Sequence, residues 1–162
     1  MKHQIRTTRL LSYIALITSI AFLFGCGGGT GSGNGSGSNT KVIDQTETLG
    51  NLKTLNLSLA LYAQDYDQIF PNASTFATLR PLLFPYGRDS SNFTDPNTNL
   101  PFAWNGYLSG KPLSTVDYTG YVTFWVATPV IPNARPVATF NQTSKLVTDT
   151  EWAQLKTTSH IP

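Results

Sequence analysis

The chain of 162 residues has little of what most protein chemistry needs: one cysteine, Cys26, and two histidines, His3 and His160. A lone cysteine excludes an intramolecular disulfide and a cysteine-based metal site. Histidines confined to the two ends leave no imidazole for acid–base work within a core. Charged side chains make up 12 % of the residues, about half the usual share. That excludes charge-driven disorder and a basic nucleic-acid binder, so no nucleic-acid partner is expected. The formal charge is +2, but Lys2, Arg6 and Arg9 precede an apolar run, and the chain beyond them is close to neutral.

That apolar run, Leu10 to Phe24, is interrupted only by Ser12, Tyr13, Thr18 and Ser19, and ends in Leu23-Phe24-Gly25-Cys26. A basic start, an apolar stretch of about 15 residues, too short for the ~20 that span a bilayer, and a small residue before the cysteine form a lipobox. This arrangement resembles bacterial lipoprotein precursors, which implies cleavage before Cys26 and acylation of its sulfur. Residues 1–25 are then a signal peptide and the membrane is a partner through lipid on Cys26. Gly27 stands where an aspartate would signal inner-membrane retention, so the same resemblance favours the outer membrane. Residues 26–40 are almost wholly Gly, Ser, Asn and Thr. A coil of that composition and about 14 residues spans roughly 20 Å r.m.s., which makes it a tether.

Residues 41–162 have the composition and length of one small domain. From Val42 to Phe70 the pattern reads as one long helix. At 100° per residue, Leu49, Leu52, Leu55, Leu59, Tyr62, Ala63, Tyr66, Ile69 and Phe70 fall within about 160° of arc, and Pro71 is the expected stop. Leu57 and Leu61 lie nearly opposite that stripe, where they are candidate partner-binding residues. Residues Asp89 to Pro101 read as a surface loop. Tyr121 to Ala127 reads as a strand, and Val137 to Phe140 with Lys145 to Val147 as a hairpin around Asn141-Gln142. Pro129, Pro132 and Pro136 point to turns or a sheet edge. Thr148 with Glu151 forms a capping box that opens a short final helix, Asp149 to Lys156, with Trp152 and Leu155 inward. The fold class is α+β, a long amphipathic helix laid across a small antiparallel sheet with a short C-terminal helix.

Residues Leu49 to Pro71, with Asn51-Leu52-Lys53, Leu59-Ala60-Leu61 and Tyr62-Ala63-Gln64-Asp65-Tyr66-Asp67 followed by Phe70-Pro71, resemble a stretch of bacterial pilin-like and type II secretion pseudopilin-like proteins. Leu100 to Asn105, Leu108 to Leu113 and Val137 to Trp152 are similar to later parts of the same group. The resemblance implies a pilin-like fold and a role in assembly, through a protein partner or self-association on the helix. Two departures accompany it. The prepilin-type cleavage site and retained apolar helix are replaced by the lipobox, and Asn141-Gln142-Thr143 stands where the group often carries Asp-Gly-His.

The chemical inventory is short. Asp65 and Asp67 sit near the helix C-terminus, where the macrodipole disfavours carboxylates, so a compensating cap to backbone N–H groups in the turn after Pro71 is expected, with a cation shared with the neighbouring loop as the alternative. Asp95, Asn97 and Asn99 have the oxygen spacing that opens a calcium loop, but the glycine and closing glutamate of an EF-hand are missing, and turn chemistry is the plainer account. No cofactor and no catalytic set is expected. The expected function is a lipid-anchored, non-enzymatic assembly protein of the cell envelope. The alternative is a small-ligand or glycan-binding surface lipoprotein in which Trp104, Tyr107, Tyr118, Tyr121 and Trp125 offer stacking faces.

Overall fold

A computed structural model describes residues 44–114, 117–141 and 143–162. The expected signal peptide and tether, with Cys26 between them, lie outside the described residues. Three α-helices, α1 (Gln45–Asp65), α2 (Phe76–Gly87) and α3 (Asp149–Thr158), surround four strands, β1 (Ala103–Trp104), β2 (Val122–Trp125), β3 (Ala134–Thr139) and β4 (Thr143–Thr148). The strands form an antiparallel meander in the order β1-β2-β3-β4, so the α+β class and the antiparallel sheet are as expected.

Helix α1 is shorter than the pattern suggests. It opens at Asp44, whose side chain accepts the Glu47 N–H at 2.8 Å, which satisfies one of the orphan donors of a helix start. It ends at Asp65 rather than at Pro71. Asp67 and Gln68 adopt left-handed backbone (φ 52° and 60°), and the Gln68 N–H turns back to the Ala63 carbonyl, a hydrogen-bonded stop that needs no proline. Leu52, Leu55, Leu59 and Ala63 are fully buried as read from the stripe, whereas Tyr66 and Ile69, beyond the stop, are 54 % and 39 % exposed.

Helix α2 carries Pro81 and Pro85 inside it, each lacking the N–H that would continue the ladder. It is held by a capping box between Thr75 and Thr78 and by Leu79 and Leu83, one turn apart and fully buried. At its end a Cβ on Gly87 would stand 3.0 Å from the Phe93 ring and 3.3 Å from Ser58 Oγ, so a larger residue there would press on Phe93 and on α1. Residues 89–101 are not merely a surface loop. A 3-10 turn, Ser90–Phe93, buries Phe93 fully, and Asp95 is 2 % exposed.

The sheet has two packed faces. Phe124 and Ala138 join the main core with α1, α2, Phe70, Phe93 and Phe102. Val122, Val137 and Val147 form a second cluster covered by Trp152 and Leu155 of α3, the two residues expected to point inward. The α3 capping box is present, with Glu151 accepting the Thr148 N–H at 2.9 Å. Pro136 does not mark an edge: it lies within β3, between β2 and β4, opposite Leu146, where its carbonyl accepts the Val126 N–H.

A register shift lies between Val122 and Phe124, a bulge that leaves Thr123 as the extra residue. The buried Asn56 of α1 fills that irregularity. Its amide donates to the Thr139 carbonyl and its oxygen accepts from the Thr123 hydroxyl. A second tie joins the end of α3 to β2. The Asn105 amide donates to the Val122 and Ser159 carbonyls at 2.9 and 2.8 Å, and the Val122 N–H donates to Ser159 Oγ at 2.8 Å.

Candidate functional site

The surface of α1 away from the sheet carries the two leucines singled out from the sequence. Leu57 and Leu61 are 48 % and 37 % exposed. Gly50, also exposed, lies within about 40° of both around the helix at 100° per residue. A Cβ on Gly50 would meet nothing within 4 Å, so no packing in the domain requires a glycine there. The row Gly50, Leu57, Leu61 extends about 16 Å along the helix at 1.5 Å per residue. Lys53 and Gln64 flank it on one side, Thr54 and Asp65 on the other.

The candidate calcium triplet closes onto the start of α1 instead of forming an open cage. Asp95 accepts from the Thr48 hydroxyl at 2.8 Å through one oxygen and from the Thr98 hydroxyl at 2.9 Å through the other. Asn97 exchanges hydrogen bonds with the backbone of Asp44 and donates to Thr48 Oγ1. Asn99 takes a left-handed φ of 56° while its N–H returns to the Asp95 carbonyl at 2.8 Å. These are turn and anchoring roles. Among the described residues no group of three His, Cys, Asp or Glu side chains is placed to hold a metal ion.

The five rings of the alternative reading do not meet in a cleft. Trp104 and Tyr118 are core residues at 6 % and 3 % exposure, and the Trp104 indole N–H donates to the Ala73 carbonyl at 2.8 Å. Trp125 packs on Trp152 at 5.5 Å. Tyr107 and Tyr121 reach the surface together, but His160 already stacks on Tyr107 at 4.3 Å and the Lys111 ammonium lies 2.8 Å from the same ring centroid.

A depression lies elsewhere among the described residues, at the C-terminal end of α1. It has a volume of about 540 Å³ and is lined by Tyr62, Tyr66, Asp67, Ile69, Asn72 and Gly110 over Phe70. Tyr62 and Tyr66 stack at 4.2 Å with their planes 14° apart. Among the described residues neither Asp65 nor Asp67 accepts from a backbone N–H as the sequence suggested. Asp65 instead accepts the Tyr86 hydroxyl at 2.8 Å, which pushes the Tyr86 pKa up to about 12 because the bond favours the protonated phenol. The helix reading placed Tyr66 in the core and so hid this depression. The signal available was the Tyr62/Tyr66 pair at i, i+4 followed directly by an acid. Comparison with family models, with curated proteins and with solved structures finds no match to the chain.

Proposed function

We propose that the chain is a lipid-anchored, pilin-like protein of the bacterial envelope that works by binding another envelope protein and catalyses no reaction. The observation that carries this reading is the exposed row Gly50, Leu57 and Leu61, an apolar strip on a face of α1 that no other described element covers. The lipobox at Cys26 supports anchoring, with the outer membrane favoured, and the motif from Leu49 to Pro71 supports the pilin-like assignment. The helix-in-groove mode fits best: leucines one turn apart enter an apolar groove of the partner, and Gly50 allows its backbone close approach.

The test pairs two variants in the host membrane. Cys26→Ala is expected to leave the membrane fraction or to accumulate as precursor, and unchanged mass and partition would remove the anchor from the reading. Changing Leu57 and Leu61 together to glutamine is expected to leave folding intact while abolishing crosslinks from this face, because glutamine is a good helix former and the buried stripe is untouched. Crosslinks to a second copy of the chain would identify the partner as itself. Crosslinking unaltered by the double change would refute the assignment of this face.

A further inference from the structure

The depression at the end of α1 has the make-up of a ligand site, and the assembly role uses none of it. Its apolar surface comes from Tyr66, 54 % exposed and backed by the parallel ring of Tyr62, and from Ile69, 39 % exposed. Its polar groups are only partly committed. Among the described residues nothing hydrogen-bonds the exposed Asp67 carboxylate, and Asn72 uses only its oxygen, toward the Ser109 hydroxyl at 3.4 Å, leaving its amide free to donate. A flat aromatic body beside one free acceptor and one free donor is a common composition of small-ligand sites.

The walls are also held in place before any ligand arrives. Phe70 N–H donates to the Lys111 carbonyl at 3.0 Å, Gly110 N–H to the Pro71 carbonyl at 3.2 Å, and Leu113 N–H to the Gln68 carbonyl at 2.8 Å. These bonds pin the 68–72 segment to the 110–113 segment, so binding there orders little backbone, and that lowers its entropic cost. Asp67 and Gln68 are consecutive non-glycine residues at positive φ, a sparsely populated conformation that clusters at ligand sites.

We propose that this depression is a carbohydrate subsite that seats one pyranose ring of a neutral glycan. A sugar ring offers an apolar C–H face to tyrosine and hydroxyls on its edge that both donate and accept, so it can use Asp67 and Asn72 together. A cation would use only the acceptors, and attraction between exposed charges is weak in water. The proposal is independent of the leucine face, which lies on another surface of α1.

Calorimetric titration of the full chain in mild detergent with two probes, the hexamer of β-1,4-linked N-acetylglucosamine and the hexamer of β-1,4-linked glucose, tests it. Saturable binding of at least one hexamer is expected. Preference for the first points to an N-acetylated wall glycan as the source, and preference for the second to an unsubstituted glucan. Tyr66→Ala should weaken binding about tenfold or more, roughly the loss of one good contact. Asp67→Asn, which keeps the left-handed preference, should weaken it a few-fold. Tyr107→Ala, at the other tyrosine cluster, should change nothing. No binding of either hexamer at about 10 mM, a limit corresponding to less than about 3 kcal/mol, would overturn the proposal. So would equal binding by the Tyr66 variant, loss of binding on changing Tyr107, or binding of tetramethylammonium in place of both sugars. A sugar-binding failure with intact leucine-dependent crosslinks would leave the assembly reading standing, and the reverse result would separate the two in the other direction.

Discussion

Replacing Asn56 by alanine should be among the most damaging single changes that remove no hydrocarbon from the core. Asn56 is 1 % exposed in the middle of α1 and joins the helix to the bulge of β2 through the Thr123 hydroxyl and to β3 through the Thr139 carbonyl. Two buried hydrogen bonds contribute about 0.5–1.5 kcal/mol each, and a carbonyl left without this partner costs about 1–3 kcal/mol more. Thr123 keeps a second partner, the Ala138 carbonyl at 3.1 Å, so its hydroxyl is not stranded. The expected loss is therefore about 3 kcal/mol, a large part of the ~5–15 kcal/mol typical of a domain. In thermal unfolding that corresponds to a fall in Tm of about 10–15 °C. Urea unfolding followed by circular dichroism should give a lower midpoint with an unchanged slope, and a cycle with Thr123→Val should return a coupling of about 1 kcal/mol. Asn56→Asp should make stability depend on pH. Its buried carboxyl has a raised folded-state pKa, so the folded state holds more protons and stability should fall as pH rises above the ordinary carboxylate range. A loss below about 1 kcal/mol, or no coupling to Thr123, would refute the idea that this tie fixes helix to sheet.

Three further outcomes are expected. Leu59→Ala, at a fully buried position, should destabilise by about 2–5 kcal/mol in the same urea assay. Gly50→Ala should stabilise the domain by about 0.5–1 kcal/mol, since the added methyl meets open space and alanine is the better helix former; weaker membrane crosslinking alongside greater stability would show that the glycine serves a partner. Near-ultraviolet absorbance titration should find Tyr86 ionising near pH 12, later than an ordinary tyrosine. Its pKa is raised in the fold, so the contribution of the pair with Asp65 is intact below about pH 10 and lost as pH climbs toward 12. Asp65→Asn should bring that titration back toward the usual value.

Leu52, Leu55 and Leu59 were legible because a 3.6-residue period is written directly in the sequence, and the α3 start because Thr148 and Glu151 satisfy each other locally. Helix α2 was not, because Pro81 and Pro85 argue against a helix on local grounds and only burial of Leu79 and Leu83 outweighs them. The extent of burial around α1 was also hidden. Thr48, Asn51, Asn56 and Ser58 are polar yet buried, since the helix packs on the sheet along one side and on α2 and the Ser90–Phe93 turn along another. No pattern of apolar residues marks such positions: the partners of Asn56, Asn51 and Thr48, namely Thr139, Ser91 and Asp95, lie 40 to 83 residues away, and among the described residues Ser58 bonds only the Thr54 carbonyl one turn back. Of the surface features, the leucine pair was readable as an offset from the stripe. The depression depends on where α1 stops, and that is set by two left-handed residues, Asp67 and Gln68, that no proline or glycine announces.

The same economy of charge that shaped the sequence shapes how the surface can act. Buried contacts between elements are made by neutral amides and hydroxyls, with Asp95 the one buried carboxylate among the described residues, and the ion pair between Lys145 and Glu151 spans 4.0 Å between half-exposed side chains. Such a pair adds little to stability and is screened by salt, so cohesion rests on packing and on ties such as Asn56 and Asn105. On the outer face of α1, the apolar row is flanked by one lysine on one edge and one aspartate on the other, which leaves almost no field to steer a partner. The association proposed for that face would therefore be unsteered apolar docking, with a modest on-rate that varies little with ionic strength and an affinity set by shape and buried area. Under the proposed anchoring at Cys26, confinement near a membrane compensates for slow encounter by raising the local concentration, which is how the proposed lipobox and a nearly uncharged apolar helix face would work together.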